Sequence, residues 1–172
     1  LRSDALHIPR LIFNTVFKNA YTRLPFEGVG AFYRALQAGT TDTRNPLFYV
    51  SSSPWNLYDF IMEFFNVHDI PVGPIFLQDL GINRQQIGFQ SHAGHKRRQI
   101  DAILQDFSHL PFILIGDSGQ HDPEIYMQVI ADCPDRIAAV YIRDVASAVD
   151  TPRMHRLMRE ASAHDVDLIL VE

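Results

Sequence analysis

Apolar residues in this chain gather in short unbroken runs, without in/out alternation. Leu47-Phe48-Tyr49-Val50, Pro74-Ile75-Phe76-Leu77, Pro111-Phe112-Ile113-Leu114-Ile115, residues 137–142 and residues 166–171 each read as a strand apolar on both sides. Between them the apolar spacing changes to that of helices, over residues 55–68, about 95–107, 123–131 and 152–164, with Pro123 suited to a first helical turn. Buried strands alternating with helices predict an α/β domain with a parallel sheet covered on both faces. Ligands of such sheets bind beyond the carboxyl ends of the strands, so the residues after each run are where chemistry is expected. The first part of the chain breaks the rhythm. A helix over 28–38 precedes the first strand, where an α/β sheet ordinarily opens with a strand, and Leu11-Ile12-Phe13 and Val16-Phe17 lie further upstream among Arg10, Lys18 and Arg23.

At 172 residues there is enough chain for one domain with a sizeable core and too little for two ordinary ones. The net charge of −5 gives no general attraction to nucleic acid or to an anionic membrane, so any anionic substrate must meet a local basic site. With a single cysteine, Cys133, there is no internal disulfide, which fits a reducing compartment. No apolar run reaches the ~18–20 residues of a membrane span. The opening Leu-Arg-Ser-Asp-Ala-Leu-His has neither an initiator methionine nor the shape of a signal peptide, and is expected to lie downstream of the true start.

Three strand or helix ends carry candidate chemistry. Ser51-Ser52-Ser53-Pro54-Trp55-Asn56 follows the first strand; hydroxyls and unpaired N–H groups at a helix start suit a phosphate, and a serine there equally suits a plain cap. His92-Ala93-Gly94-His95-Lys96 opens the next helix. A lysine in a first turn opposes the helix dipole unless its ammonium serves an anion site, the alternative being a solvated lysine beside Arg97 and Arg98. Two histidines without a third partner make a poor metal set. The third strand runs into Gly116-Asp117-Ser118-Gly119-Gln120-His121-Asp122. Its two carboxylates suit Mg²⁺, while Asp117 also fits a turn former and Asp122 an N-cap before Pro123. Gly-Asp-Ser-Gly also occurs in chymotrypsin-like proteases, but those are antiparallel barrels, and here a parallel strand precedes the motif.

A hydroxyl, a lysine and an acidic pair at successive element ends resemble the later motifs of the haloacid-dehalogenase superfamily. The wording is closer to one branch. Phe48-Tyr49-Val50-Ser51-Ser52-Ser53-Pro54-Trp55-Asn56-Leu57-Tyr58, His95-Lys96, Leu114-Ile115-Gly116-Asp117-Ser118-Gly119-Gln120-His121-Asp122 and Tyr141-Ile142-Arg143-Asp144-Val145 resemble the catalytic domain of the actin-patch-type phosphatidate phosphatases. Thr22-Arg23-Leu24-Pro25-Phe26 fits the same family.

The resemblance implies a Rossmann-like parallel sheet and a single catalytic domain over 1–172, with 1–26 a cap-like or flap-derived segment and 27–172 the core. It implies a Mg²⁺-dependent phosphatase. Ser51 and Ser52 would bind the phosphoryl group, Ser51 and Lys96 would serve catalysis, Lys96 would also offset the phosphate charge, and Asp117 and Asp122 would hold the metal. The substrate would be phosphatidate or another phosphomonoester, with peripheral membrane contact along Arg10 to Phe26, or ordinary helix packing there. Placement would be cytoplasmic or at a membrane surface. The family's Asp-x-Asp-x-Thr or Asp-x-Asp-Asp-Thr nucleophile motif, expected at the end of a first strand, does not occur in these residues, so the central first strand is expected to be missing and the 172 residues alone to be inactive. A soluble phosphomonoester as substrate, or a binding or scaffold role without catalysis, are the competing readings.

Overall fold

The five strands among the described residues pair in parallel, in one two-stranded and one three-stranded sheet. The computed structural model describes residues 28–39, 44–78, 89–119, 121–145 and 151–171. The expected segment 1–26 and its membrane-facing reading therefore lie outside the described residues. The α/β class and the parallel pairing are those expected from runs that do not alternate. The strands are divided between two compact units, Leu1–Leu80 and Gly81–Glu172.

In the first unit, α1 (Val29–Ala38) is followed by β1 (Tyr49–Pro54), a 3₁₀ turn (Trp55–Leu57), α2 (Tyr58–Val67) and β2 (Ile75–Gln78). Tyr49 and Val50 face Ile75 and Phe76, and the next matched pair is Pro54 with Gln78. Three residues of β1 thus stand against Leu77 alone, and those three are Ser51, Ser52 and Ser53. The strand expected to end at Val50 continues through the serines as a bulge. Leu57, Phe65, Ile70 and Leu77 are buried. The Tyr49 ring lies 4.5 Å from that of Phe65 between centroids, and its hydroxyl donates to the Pro71 carbonyl at 2.6 Å.

The second unit contains α3 (Phe89–Asp106), β3 (Phe112–Asp117), α4 (Asp122–Asp132), a 3₁₀ turn (Pro134–Arg136), β4 (Ile137–Arg143), α5 (Thr151–Ser162) and β5 (Asp167–Val171). Strand β4 is central, with Leu114, Val140 and Leu168 in register across the sheet. Val129 and Ile130 of α4, Val140 and Ile142 of β4, and Ala161 of α5 have no exposed surface. Among the described residues β1 pairs only with β2, and β3 only with β4, so each leaves one edge without a strand.

One boundary differs in a way that matters. The spacing predicts a helix over about 95–107, yet α3 already begins at Phe89. The segment has no apolar stripe to announce a helix, but it contains no proline, and extending an already docked helix costs little compared with nucleating one. Lys96 therefore sits seven positions beyond the helix start, clear of the first turn. Its presence needs no explanation from the N-terminal end of the dipole.

The end of α3 is closed by a side chain distant in sequence. The Arg136 guanidinium donates to the carbonyls of Leu104, Phe107 and Leu110, at 3.3, 2.7 and 2.9 Å from Nη2. It also lies 5.8 Å from the Phe112 ring centroid. Leu104 lies in the last turn of α3, where carbonyls have no intrahelical donors, and Phe107 and Leu110 belong to the turn that follows, so one planar fork ties the helix end to its exit. Arg136→Ala is expected to lower unfolding free energy by about 1–3 kcal/mol. Arg136→Lys should recover only part of this, because one ammonium cannot span three carbonyls. Urea unfolding of the three proteins checks both statements.

Candidate active site

The sequence-predicted site residues fall in both units. Lys96, Asp117 and Asp122 lie in Gly81–Glu172, and Ser51 and Ser52 lie in Leu1–Leu80.

In the second unit the site grows from the carboxyl end of β3. Asp117 is the last residue of the strand, in register with Arg143 of β4 and, through it, with Val171 of β5. Its Oδ1 accepts the Gly119 N–H at 2.9 Å, an Asx-type turn that leads the chain away from the sheet. Asp117 thus has the geometry of a turn former as well as that of a strand-end carboxylate.

The chain then returns into α4. His121 occupies the N-cap position without any side-chain cap bond, and Asp122 is the first helical residue, with Pro123 behind it. The capping role allowed for Asp122 is therefore not the one it has. Its carboxylate is 8% exposed and turns back toward β3 and α3. Oδ1 accepts from Lys96 Nζ at 2.5 Å, and Oδ2 lies 3.5 Å from the Asp117 N–H, a long contact. The Lys96 side chain is 13% exposed, so the pair is poorly screened and strongly oriented. A buried carboxylate and ammonium are tolerable only together, since removing either strands a charge.

This approach depends on Gly116. A Cβ built there would stand 2.8 Å from Asp122 Cβ, 2.9 Å from Asp122 Oδ2 and 2.9 Å from Tyr126 Cε2. Tyr126, one helical turn beyond Asp122, donates its hydroxyl to the Ile115 carbonyl at 2.7 Å and fastens α4 to the strand end.

Several supporting residues were not among the candidate site residues. Ser118 is buried; its hydroxyl donates to Asp144 Oδ1 at 3.2 Å and accepts the Val145 N–H at 3.1 Å. Its own N–H donates to the Arg143 carbonyl, so the loops beyond β3 and β4 are clipped together beside Asp117. Glu124 and Arg153 form a two-pronged pair, Nε to Oε1 at 2.7 Å and Nη2 to Oε2 at 2.6 Å, joining the first turn of α4 to that of α5. The polar residues directly after β3 and β4 could have flagged Ser118 and Asp144. Nothing in the spacing links Glu124 to Arg153.

In the first unit Ser51 is half-buried within the β1 bulge. Its Oγ accepts the Ser53 N–H at 3.1 Å and donates to Ser53 Oγ at 3.0 Å. The cap positions of the 3₁₀ turn and of α2 are Pro54 and Leu57, neither with a side-chain cap bond. The serines therefore do not cap either helix. They form a hydroxyl-rich bend at a strand's carboxyl end, a chemistry suited to oxyanions.

In kind, the donors of the second unit fit Mg²⁺, which takes one or two carboxylates and completes its shell with phosphate and water. No group of three His, Cys, Asp or Glu that could hold a metal occurs among the described residues. Asp117 and Asp122 thus match part of a Mg²⁺ set.

Residues 1–144 match the sequence profile of the phosphatidate phosphatase APP1 catalytic domain. A Saccharomyces cerevisiae protein named phosphatidate phosphatase APP1 is 33% identical over 146 residues, 85% of this chain and 24% of the relative. An uncharacterised protein of Schizosaccharomyces pombe is 29% identical over 140 residues, 81% of this chain and 22% of the relative. The chain thus spans about a quarter of the length of these curated relatives. No solved structure matches it.

Two outcomes test the construction of the site. Gly116→Ala is expected to destabilise by about 1–3 kcal/mol, since the contacts it creates are with Asp122 and Tyr126 side chains held in place by Lys96 and by the Ile115 carbonyl. Denaturant midpoints that match wild type would show that α4 can move aside. The second outcome concerns pH. Burial pushes the Glu124 carboxyl up, but the Arg153 hydrogen bonds, its own N–H and the charges of Arg153 and His121 outweigh this and hold it below its ordinary value of 4.5. A depressed folded pKa stabilises the fold above the ordinary value, and the contribution disappears as pH falls through the lower one. With Glu124 side-chain exposure at 38%, the expected loss on Glu124→Gln is about 0.5–1 kcal/mol at pH 7. Urea unfolding at pH 7 and near pH 3 should show the difference only at the higher pH.

Proposed function

The chain belongs to the phosphatidate phosphatase APP1 catalytic-domain family, and from that premise we propose that it works as the phosphate-handling part of a Mg²⁺-dependent phosphatidate phosphatase, converting phosphatidate to diacylglycerol. The observation that supports this reading is the buried Lys96–Asp122 pair beside Asp117, at the carboxyl end of a parallel strand. A lysine and two carboxylates at such an end suit a phosphate and a hard divalent cation better than any neutral substrate.

Asp117 and Asp122 hold Mg²⁺ in this reading. When bound, the ion supplies charge neutralisation and polarisation of the phosphoryl oxygens. Lys96 adds a fixed positive charge, kept in place by Asp122. Ser51 exchanges the Ser53 oxygen for a phosphoryl oxygen as the acceptor of its hydroxyl proton, and Ser52 lines the same bend. Ser118 with Asp144, and Glu124 with Arg153, keep the loop after β3 and the start of α4 from shifting. Most of the work of these residues is positioning and electrostatics, as phosphoryl transfer requires.

None of them is an activated nucleophile. Lys96 is engaged by Asp122, and Ser51 bonds Ser53 instead of a base. We assign the nucleophile to an aspartate of an Asp-x-Asp segment outside the 172 residues. Its carboxylate oxygen forms a bond to phosphorus as the bond to the glycerol oxygen breaks, and the second aspartate protonates the departing oxygen. Water, giving a proton to the second aspartate, then attacks phosphorus as the bond to the nucleophile's carboxylate oxygen breaks, which releases inorganic phosphate and restores both aspartates.

The test is phosphate release from phosphatidate in Mg²⁺ by a longer chain that includes the upstream segment. Asp117→Asn in that chain should reduce turnover by about a hundredfold or more, with the urea midpoint nearly unchanged, because it removes a charged ligand at constant volume. The 172 residues alone should release no phosphate. Near-wild-type activity with unaltered Mg²⁺ dependence in Asp117→Asn would overturn the metal assignment. Preference for a soluble phosphomonoester over phosphatidate would overturn the lipid one.

A further inference from the structure

Among the described residues, one aromatic pair stands outside the buried core. Trp55 and Tyr58 follow the serine bulge directly, one in the 3₁₀ turn and one at the first position of α2. Trp55 is 51% exposed and Tyr58 39%. Their rings are stacked, with centroids 5.9 Å apart and planes 29° from parallel. Asn56 and Asp59, beside them, are exposed as well. Two large rings held together in water, next to a hydroxyl-rich bend, have a cost that packing within the unit does not offset.

We infer that Trp55 and Tyr58 form an interfacial anchor that seats this domain on a phospholipid bilayer. Rings with an apolar face and a polar N–H or O–H edge favour the boundary layer of a membrane over either the hydrocarbon or the water. The inference rests on the phosphatidate reading and deepens it by saying how the site reaches its substrate. Phosphatidate presents its phosphate in the headgroup layer, roughly 5–8 Å thick on each side of the hydrocarbon. Trp55 is four residues from Ser51, so the two lie within about 14 Å of each other along even a fully extended chain. A Trp55 seated in that layer keeps Ser51 close to the plane of the substrate phosphates without deep insertion.

The charge of the protein decides what kind of attraction this is. With a net charge of −5 and Asp59 beside Tyr58 in the first turn of α2, attraction to anionic lipid is not the driving force. Partition is through the aromatic faces, so binding should occur on zwitterionic lipid and should not collapse with salt.

Trp55 is the sole tryptophan of the 172 residues, and its fluorescence reports on this surface alone. Vesicles of phosphatidylcholine, without phosphatidate and without Mg²⁺, should shift its emission to the blue. Phosphatidylcholine brominated on its acyl chains should quench it. Co-flotation with the same vesicles should fall about tenfold in the Trp55→Ala/Tyr58→Ala double variant. In the longer active chain, that variant should lose turnover of phosphatidate in vesicles and keep turnover of short-chain phosphatidate dissolved as monomers. Emission that vesicles neither shift nor quench overturns the proposal, and leaves the pair to a protein partner. Equal loss on the vesicle and monomeric substrates overturns it too, placing the rings in the substrate site instead. The fluorescence and flotation arms need no turnover, so the anchor stands or falls separately from the phosphatase reading.

Discussion

The close approach of α4 to the end of β3 governs the candidate site. Position 116 has no room for a side chain because Asp122 and Tyr126 occupy the space where its Cβ would be. Only with that gap closed does the Asp122 carboxylate reach the strand end, where it is buried. A carboxylate so placed must be compensated, and Lys96 from α3 is the group that compensates it. One steric fact at a glycine thus fixes three charged groups supplied by β3, α4 and α3.

Around this centre the polar contacts form a second layer with a common purpose. Ser118 ties the loops beyond β3 and β4 together, and Asp144 N–H continues the tie to the Val171 carbonyl of β5. Glu124 and Arg153 hold two helix starts at a fixed separation. Asp122 and Glu124, both in the first turn of α4, also lie where the helix dipole favours negative charge. Catalytic geometry tolerates little looseness, and these contacts restrain the turn that carries Asp117 and Asp122 from three sides.

The first unit solves a different problem. Bulges bend a strand and redirect its side chains, and they occur often beside active sites. Here the bulge falls on three consecutive serines, which puts hydroxyls and backbone N–H groups into a bend at the strand end without using them as helix caps. The same bend leads into the 3₁₀ turn that leaves Trp55 and Tyr58 in solvent. The serine bend and the exposed rings are thereby linked through fewer than ten residues.

Much of this protein was legible in its residues. Apolar runs without alternation point to parallel strands, whose two faces are ordinarily both covered, although Ile113 and Leu170 remain exposed among the described residues. The order of hydroxyl, lysine and acidic pair pointed to phosphate chemistry, and the wording of those blocks to the family. Local signals failed where the deciding contacts are distant in sequence. The start of α3 was hidden because residues 89–94 have no apolar stripe, and only docking of the later turns keeps them helical. Asp122 looked like a cap because Pro123 follows it, yet its carboxylate is claimed by Lys96, 26 residues away. The Glu124–Arg153 pair spans 29 residues and Arg136 reaches back 32 to Leu104, separations at which spacing carries no information. The sequence by itself determined which kinds of groups stand at the strand ends, because the pattern of buried strands sets those positions. Which of those groups touch one another was decided only by the tertiary structure, since contacts between charges follow from how closely helices and strands pack.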